Sequence, residues 1–93
     1  MVKIKANIKL YKNIRITPFQ GGYRPMFNFI DEMKTSGKIE LIDRVEFWPG
    51  EEGEVRITFL DSEYLGDDFG IGKQFVFGEG IRPMGEGVVK EIL

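Results

Sequence analysis

Positions 2–11 alternate without a fault. Val2, Ile4, Ala6, Ile8 and Leu10 fall on one side, and Lys3, Lys5, Asn7, Lys9 and Tyr11 on the other. A period of two predicts a strand with one buried face, and outward lysines discourage edge-to-edge pairing with another sheet. The alternation recurs at 54–60, where Val55, Ile57 and Phe59 share a face. Further strands are expected over 23–30, with Pro25 near its start, over 38–42 and over 73–78. A short one is expected over 14–17, ended by Pro18, and a last one over 84–92. Gln20 to Gly22, Trp48 to Gly53 and Glu79-Gly80 read as turns, with Arg82-Pro83 continuing the last bend. Positions 31–36 read as a polar loop or a single helical turn, and 61–72 as a long polar loop. Gly85 and Gly87 mark a bulge, a bend or a close backbone approach within the last strand. No segment holds a helical apolar period over two turns. Six or so short strands separated by turn signals predict an all-β barrel or sandwich.

Composition narrows the function classes. The 93 residues form a single domain, 1–93, with 42% hydrophobic and 30% charged residues, a globular rather than a disordered balance. The absence of cysteine and histidine excludes disulfides, thiol nucleophiles, Cys/His zinc sites and serine or cysteine catalysis through a histidine base. No apolar run approaches the roughly 18 residues of a membrane span, and the lysine-rich start is unlike a signal peptide, so a cytoplasmic protein with no membrane partner is expected. The net charge of −2 is unevenly spread: residues 1–38 hold eight basic side chains against two acidic, and residues 39–93 hold five against thirteen. The basic part suits a phosphate backbone, whereas a pI near 5.2 is low for a dedicated nucleic-acid binder. A folded barrel would mix the two parts on one surface.

Candidate chemistry is sparse. Gly66 to Lys73 has the glycines of a phosphate loop, but the spacing to Gly72-Lys73 is one residue too long. Gln74 stands where a magnesium-binding hydroxyl is needed, and Asp67 and Asp68 would repel phosphate. These acids do not follow calcium-loop spacing either, so a flexible solvated loop is expected. The acidic pairs Asp31-Glu32, Glu51-Glu52 and Asp67-Asp68 lie in turns, where both members ionise rather than split their pKa values across a cleft. Neither a metal site nor a cofactor site is expected, and the chain is read as a binding module, not an enzyme. Arg24 lies between Tyr23 and Pro25 among Phe19, Phe27 and Phe29. It is a candidate for cation–π stacking or anion binding, or a structural arginine bonded to loop carbonyls. The phenylalanines and Trp48 suit a base-stacking platform, but a barrel of this size needs most of them as core.

Residues 16–29, from Ile16-Thr17-Pro18-Phe19 through Gly22-Tyr23-Arg24-Pro25 to Phe29, closely resemble the signature of the C-terminal β-barrel, domain III, of translation elongation factor Tu. The resemblance continues in order through Gly37 to Leu41, Pro49-Gly50, Phe75 to Gly80 and Arg82 to Leu93, and covers nearly the whole chain. It implies a six-stranded antiparallel closed β-barrel, a module of the translation-factor kind that binds tRNA, other RNA or a translation GTPase. It also implies that this barrel, without a nucleotide-binding domain, neither binds nor hydrolyses GTP. Carried over by position, Tyr23, Arg24, Ser36, Glu79, Gly80 and Arg82 become the candidate RNA- or partner-binding residues. The chain departs from the family pattern where Met26 replaces a glutamine, where the 31–36 loop is one residue longer, and where Asp61-Ser62-Glu63 stands in place of a basic residue. These departures weaken a phosphate-binding surface. They leave open an alternative, a protein–protein module that has lost tRNA. Apolar surface that other domains cover in the family would favour a homodimer.

Overall fold

The computed structural model describes residues 1–93 except Ile14, Arg15 and Glu32. Eight strands follow in chain order: β1 (Val2–Leu10), β2 (Phe19–Gln20), β3 (Met26–Ile30), β4 (Met33–Leu41), β5 (Glu46–Phe47), β6 (Glu52–Phe59), β7 (Gln74–Gly78) and β8 (Pro83–Ile92). Six of them close a barrel in the order β1-β6-β4-β3-β7-β8, every neighbouring pair antiparallel, while β2 and β5 pair in a separate two-stranded sheet. Among the described residues there is no helix, and none therefore long and apolar enough to cross a membrane. The closed six-stranded antiparallel barrel is the expected fold, and it decides between the barrel and the sandwich that the chain's alternation left open.

Alternation dictates what fills the interior. Ile4, Ala6 and Ile8 of β1 and Val55, Ile57 and Phe59 of β6 are fully buried, and Phe27, Phe75 and Phe77 point inward from β3 and β7. A barrel of six strands is too narrow for rings from all sides, so glycine stands opposite phenylalanine across the strands. Phe75 faces Gly87, Phe77 faces Gly85 and Phe59 faces Gly37. A Cβ on Gly87 would lie 2.5 Å from the Phe75 ring, and one on Gly85 would lie 2.5 Å from the Phe77 ring. Gly85 and Gly87 are thus sites of close approach. Register shifts in β8 fall on both sides of them: Phe77 faces Gly85 but Gly78 faces Pro83, and Ala6 faces Val89 but Lys5 faces Glu91. Phe27 is the hub of the aromatic side, with ring centroids at 5.2 Å from Phe59, 5.7 Å from Phe75 and 5.8 Å from Phe77. Burying each such ring contributes about 1.5–3 kcal/mol.

Four expectations need correction. Met33 to Ser36 are neither loop nor helical turn, because Ile30 already pairs with Met33 and β4 runs from there, with Thr35 buried. Its alternation was hidden by Thr35 and Gly37, inward residues that do not look apolar. The turn after Trp48 is shorter than expected, since Glu52 and Gly53 already belong to β6. Phe19 and Phe47, at the edges of turn segments, pair in the small β2–β5 sheet and stack at 5.3 Å. The 61–72 loop is anchored rather than freely solvated. Leu65 is buried, Phe69 packs edge-on against Phe29 at 5.2 Å, and Lys73 bridges back to Asp68 at 2.7 Å. The expected 14–17 strand lies partly outside the described residues, and Ile16 and Thr17 within it are not in a strand.

Candidate binding face around the β7–β8 turn

Strand order brings together residues far apart in sequence. Met26 of β3 faces Ser36 of β4 on one side and Gly78 of β7 on the other, and Gly78 faces Pro83 of β8. These four positions form one row across four strands, with the turn at 79–82 just beyond it. Residues 22–25 continue alongside β4: Gly22 N–H donates to the Ile39 carbonyl at 2.8 Å, Ile39 N–H donates to the Tyr23 carbonyl at 2.8 Å, and Gly37 N–H donates to the Pro25 carbonyl at 3.3 Å. The candidate residues Tyr23, Arg24, Ser36, Glu79, Gly80 and Arg82 therefore border one region of the outer surface.

Their roles divide. Tyr23 is half-buried, its ring 4.7 Å from that of Phe19, and its hydroxyl donates to a Glu79 carboxylate oxygen and lies 3.4 Å from Met84 Sδ. It straps the turn to the rest of the barrel. Gly80 sits at φ +73°, in the left-handed region that glycine takes without strain, and its carbonyl accepts a 2.6 Å bond from Lys34 Nζ. Tyr23 with Glu79 and Lys34 with Gly80 thus fix the turn from two sides. Arg24, Ser36 and Arg82 are exposed, and their side chains make no hydrogen bond or ion pair among the described residues. Arg24 accordingly neither stacks on an aromatic ring nor bonds a loop carbonyl there. Arg44 does make a cation–π contact, its guanidinium 4.8 Å from the centre of the Phe47 ring.

Lys34 is the functional candidate the sequence reading missed. Once β4 is extended to Met33, the outward column reads Lys34, Ser36, Lys38, Glu40, and period two would have found it. A depression of 210 Å³ lies against the turn, lined by Met26, Asn28, Lys34, Gly80, Ile81 and Arg82 among others. Among the described residues its lining holds two cations and no carboxylate. A wider groove of 530 Å³ lies over the outer faces of β1, β7 and β8, but there Asp31, Glu52 and Glu86 outweigh Lys9 and Lys73. Seven of the eight candidate stacking aromatics are core: Phe19, Phe27, Phe29, Phe47, Phe59, Phe75 and Phe77 are buried, and only Trp48 is exposed. The face therefore offers charge and backbone, not a stacking platform.

Two side chains elsewhere have displaced acidities. Burial and the hydrogen bond to Glu86 push the Tyr11 phenol above its ordinary value, its hydroxyl donating to Glu86 Oε1 at 3.0 Å. The hydrogen bond from Lys73 holds the Asp68 carboxyl below its usual range. Neither borders the turn. Among the described residues, no cluster of three or more acidic side chains is placed to hold a metal ion. No protein-family model matches the chain.

Proposed function

We propose that this barrel is a translation-elongation-factor-like binding module whose β4-β3-β7 face and β7–β8 turn take the phosphate backbone of folded RNA, tRNA being the first candidate. The observation that carries the reading is the meeting of Lys34 and Arg82, from separate stretches of chain, in the lining of a depression against a turn tethered at Glu79 and Gly80, with Arg24 exposed on the stretch that continues β3. Phosphate contacts of this kind fix register and supply affinity without reading sequence. Ser36 adds a hydroxyl beside them. The reading includes no GTPase activity and no membrane partner. The outward columns of β1 and β4 carry lysine, asparagine and glutamate, where lipid would require an apolar band.

A second reading, a protein–protein module that keeps the barrel without RNA, is favoured by one observation. Ile81, 96% exposed, and Met26, 37% exposed, sit amid the cations, where a nucleic-acid backbone gains little from apolar surface. The discriminating experiment is fluorescence anisotropy with labelled tRNA at low salt. The first reading expects binding that Arg82→Ala weakens. Absence of binding at low salt, with the barrel folded, sinks it and leaves the second ahead.

A further inference from the structure

The ladder between β3 and β7 stops early. It pairs Met26 with Gly78, Phe27 with Phe77 and Asn28 with Val76, and then ends, although β3 runs on to Ile30 and β7 begins at Gln74. Each strand stays paired on its other side: Ile30 faces Met33 of β4, and Gln74 and Phe75 face Val88 and Gly87 of β8. The core beneath is sealed, because Phe29 and Phe75 are buried and their rings lie 5.0 Å apart. The seam is therefore open only on the outer surface. The groove of 530 Å³ lies over this stretch, with Phe29, Ile30 and Asp31 in its lining from one side and Lys73, Gln74 and Phe75 from the other. A second depression, of 550 Å³, shares Phe29, Ile30, Asp31 and Lys73 with it and carries the groove on to residues 62–68.

Floor and rim differ in chemistry. Ile30, Val76 and Val88 are half-buried in the lining, and Val76 stands between Asn28 and Glu86 in one row across the strands. Among the described residues the two depressions together are lined by six carboxylates and two lysines. One of the lysines, Lys73, is already bound to Asp68 at 2.7 Å. Asp31, Glu63 and Asp67 are exposed, and no hydrogen bond or ion pair engages their side chains among the described residues. Such a rim repels phosphate and attracts cations. A strand edge left without a partner takes an extended chain through its backbone, and alternate side chains of that chain then fall on one face.

We propose that the open seam between β3 and β7 is a docking groove for an extended basic segment of a partner protein. The segment's backbone pairs along the free edge of β7. Apolar side chains at alternate positions rest on Ile30, Val76 and Val88, and the arginines or lysines between them meet the rim at Asp31 and Asp67. The proposal is independent of RNA binding, since it uses none of the cations around the β7–β8 turn.

Fluorescence anisotropy of a short labelled peptide that alternates arginine and valine tests it on the full chain without nucleic acid. Binding is expected at low salt and is expected to weaken as salt screens the rim charges. The counterpart that alternates glutamate and valine is expected not to bind. The arginine–valine peptide methylated on its backbone nitrogens keeps every charge but cannot donate to β7, and is expected to bind at least about tenfold more weakly. Two charge-reversed proteins locate the site. Asp31→Lys with Asp67→Lys turns two attractions at the rim into repulsions and is expected to weaken binding at least about tenfold. Glu40→Lys with Asp43→Lys makes the same change in net charge outside both linings, and its affinity is expected to stay within about twofold of wild type. All four positions are exposed, so circular dichroism is expected to show the barrel intact in both. No binding of the arginine–valine peptide at low salt, equal binding of its methylated form, or an equal loss in the two charge-reversed proteins would each overturn the proposal.

Discussion

Removing the Arg82 guanidinium is the most direct test of the RNA-binding reading, because the structure bounds what it can do. Among the described residues three exposed cations lie on the candidate face, Arg24, Lys34 and Arg82, and Lys34 Nζ donates to the Gly80 carbonyl. If each neutralises one phosphate, the logarithm of affinity falls with the logarithm of salt at a slope of about −0.9 per contact, so about −2.7 for three. Between about 50 and 200 mM salt the wild type should therefore lose roughly 40-fold in affinity, and Arg82→Ala, with a slope near −1.8, only roughly 12-fold. Because one such contact fades towards 1 M salt, its loss costs about eightfold in affinity at 0.1 M. Stability should hardly change, since Arg82 is exposed and has no partner among the described residues. The assay is anisotropy of labelled tRNA over a salt series, with Arg56→Ala on the outer face of β6 as control. An unchanged slope in Arg82→Ala, or an Arg56→Ala effect as large, would refute the assignment of this face. A wild-type slope much steeper than −3 would mean that other cations carry the binding.

Three further outcomes follow from particular contacts. Gly87→Ala should destabilise the barrel by about 1–3 kcal/mol, because its Cβ would sit 2.5 Å from the Phe75 ring and 2.8 Å from Ile8 Cγ2, and a core ring cannot shift freely. Gly70→Ala, with open space around the same atom, should be nearly neutral, and equal urea midpoints for the two would contradict the Phe–Gly packing rule. The raised Tyr11 acidity means that the folded state holds that proton more tightly than the unfolded chain. Its contribution is fully present below the ordinary phenol value and is lost as pH rises through the raised one. Tyr11→Phe should therefore lose less stability than wild type between about pH 9 and 11, and parallel losses in urea titrations would sink that account. Isothermal titration with GTP and magnesium should give no binding heat, since Gly66 to Lys73 lacks phosphate-loop spacing and its Asp68 is held ionised by Lys73.

Period-two alternation in β1 and β6 was enough to place their inward faces, because Ile4, Ile8, Val55 and Ile57 are apolar in every buried position. It failed in β4 for a physical reason. A barrel packed with phenylalanine needs small neighbours, so Thr35 and Gly37 point inward and break the pattern. The two-residue β2 and β5 carry no periodicity at all, and their pairing depends on Phe19 and Phe47 meeting across the fold. The candidate site was half legible. Glu79, Gly80, Arg82 and Tyr23 follow from the resemblance, but nothing linear marks Tyr23 as a strap whose hydroxyl reaches Glu79. Lys34 was lost with the start of β4. Arg24, set among aromatics in sequence, faces away from them, because Pro25 and Phe27 take the inward positions on either side of Met26.

The charge asymmetry along the chain does not become two charged halves of the molecule. β1 from the basic part lies between β6 and β8 from the acidic part, so Lys9 faces both Glu52 and Glu86, and Lys5 faces Glu91. What remains is local. Lys34 comes from the first part and Arg82 from the second, and they line one depression because β7 and β8 close against β3 and β1. At physiological salt a charge is felt over about 8 Å, so acids further than this across the barrel weigh little against the cations beside the turn. The low pI therefore does not decide whether this face binds phosphate. The decision falls to Glu79, the one acid in the turn itself, and its carboxylate accepts the Tyr23 hydroxyl. That bond directs the carboxylate at Tyr23, and among the described residues the lining of the depression holds Lys34 and Arg82 and no carboxylate.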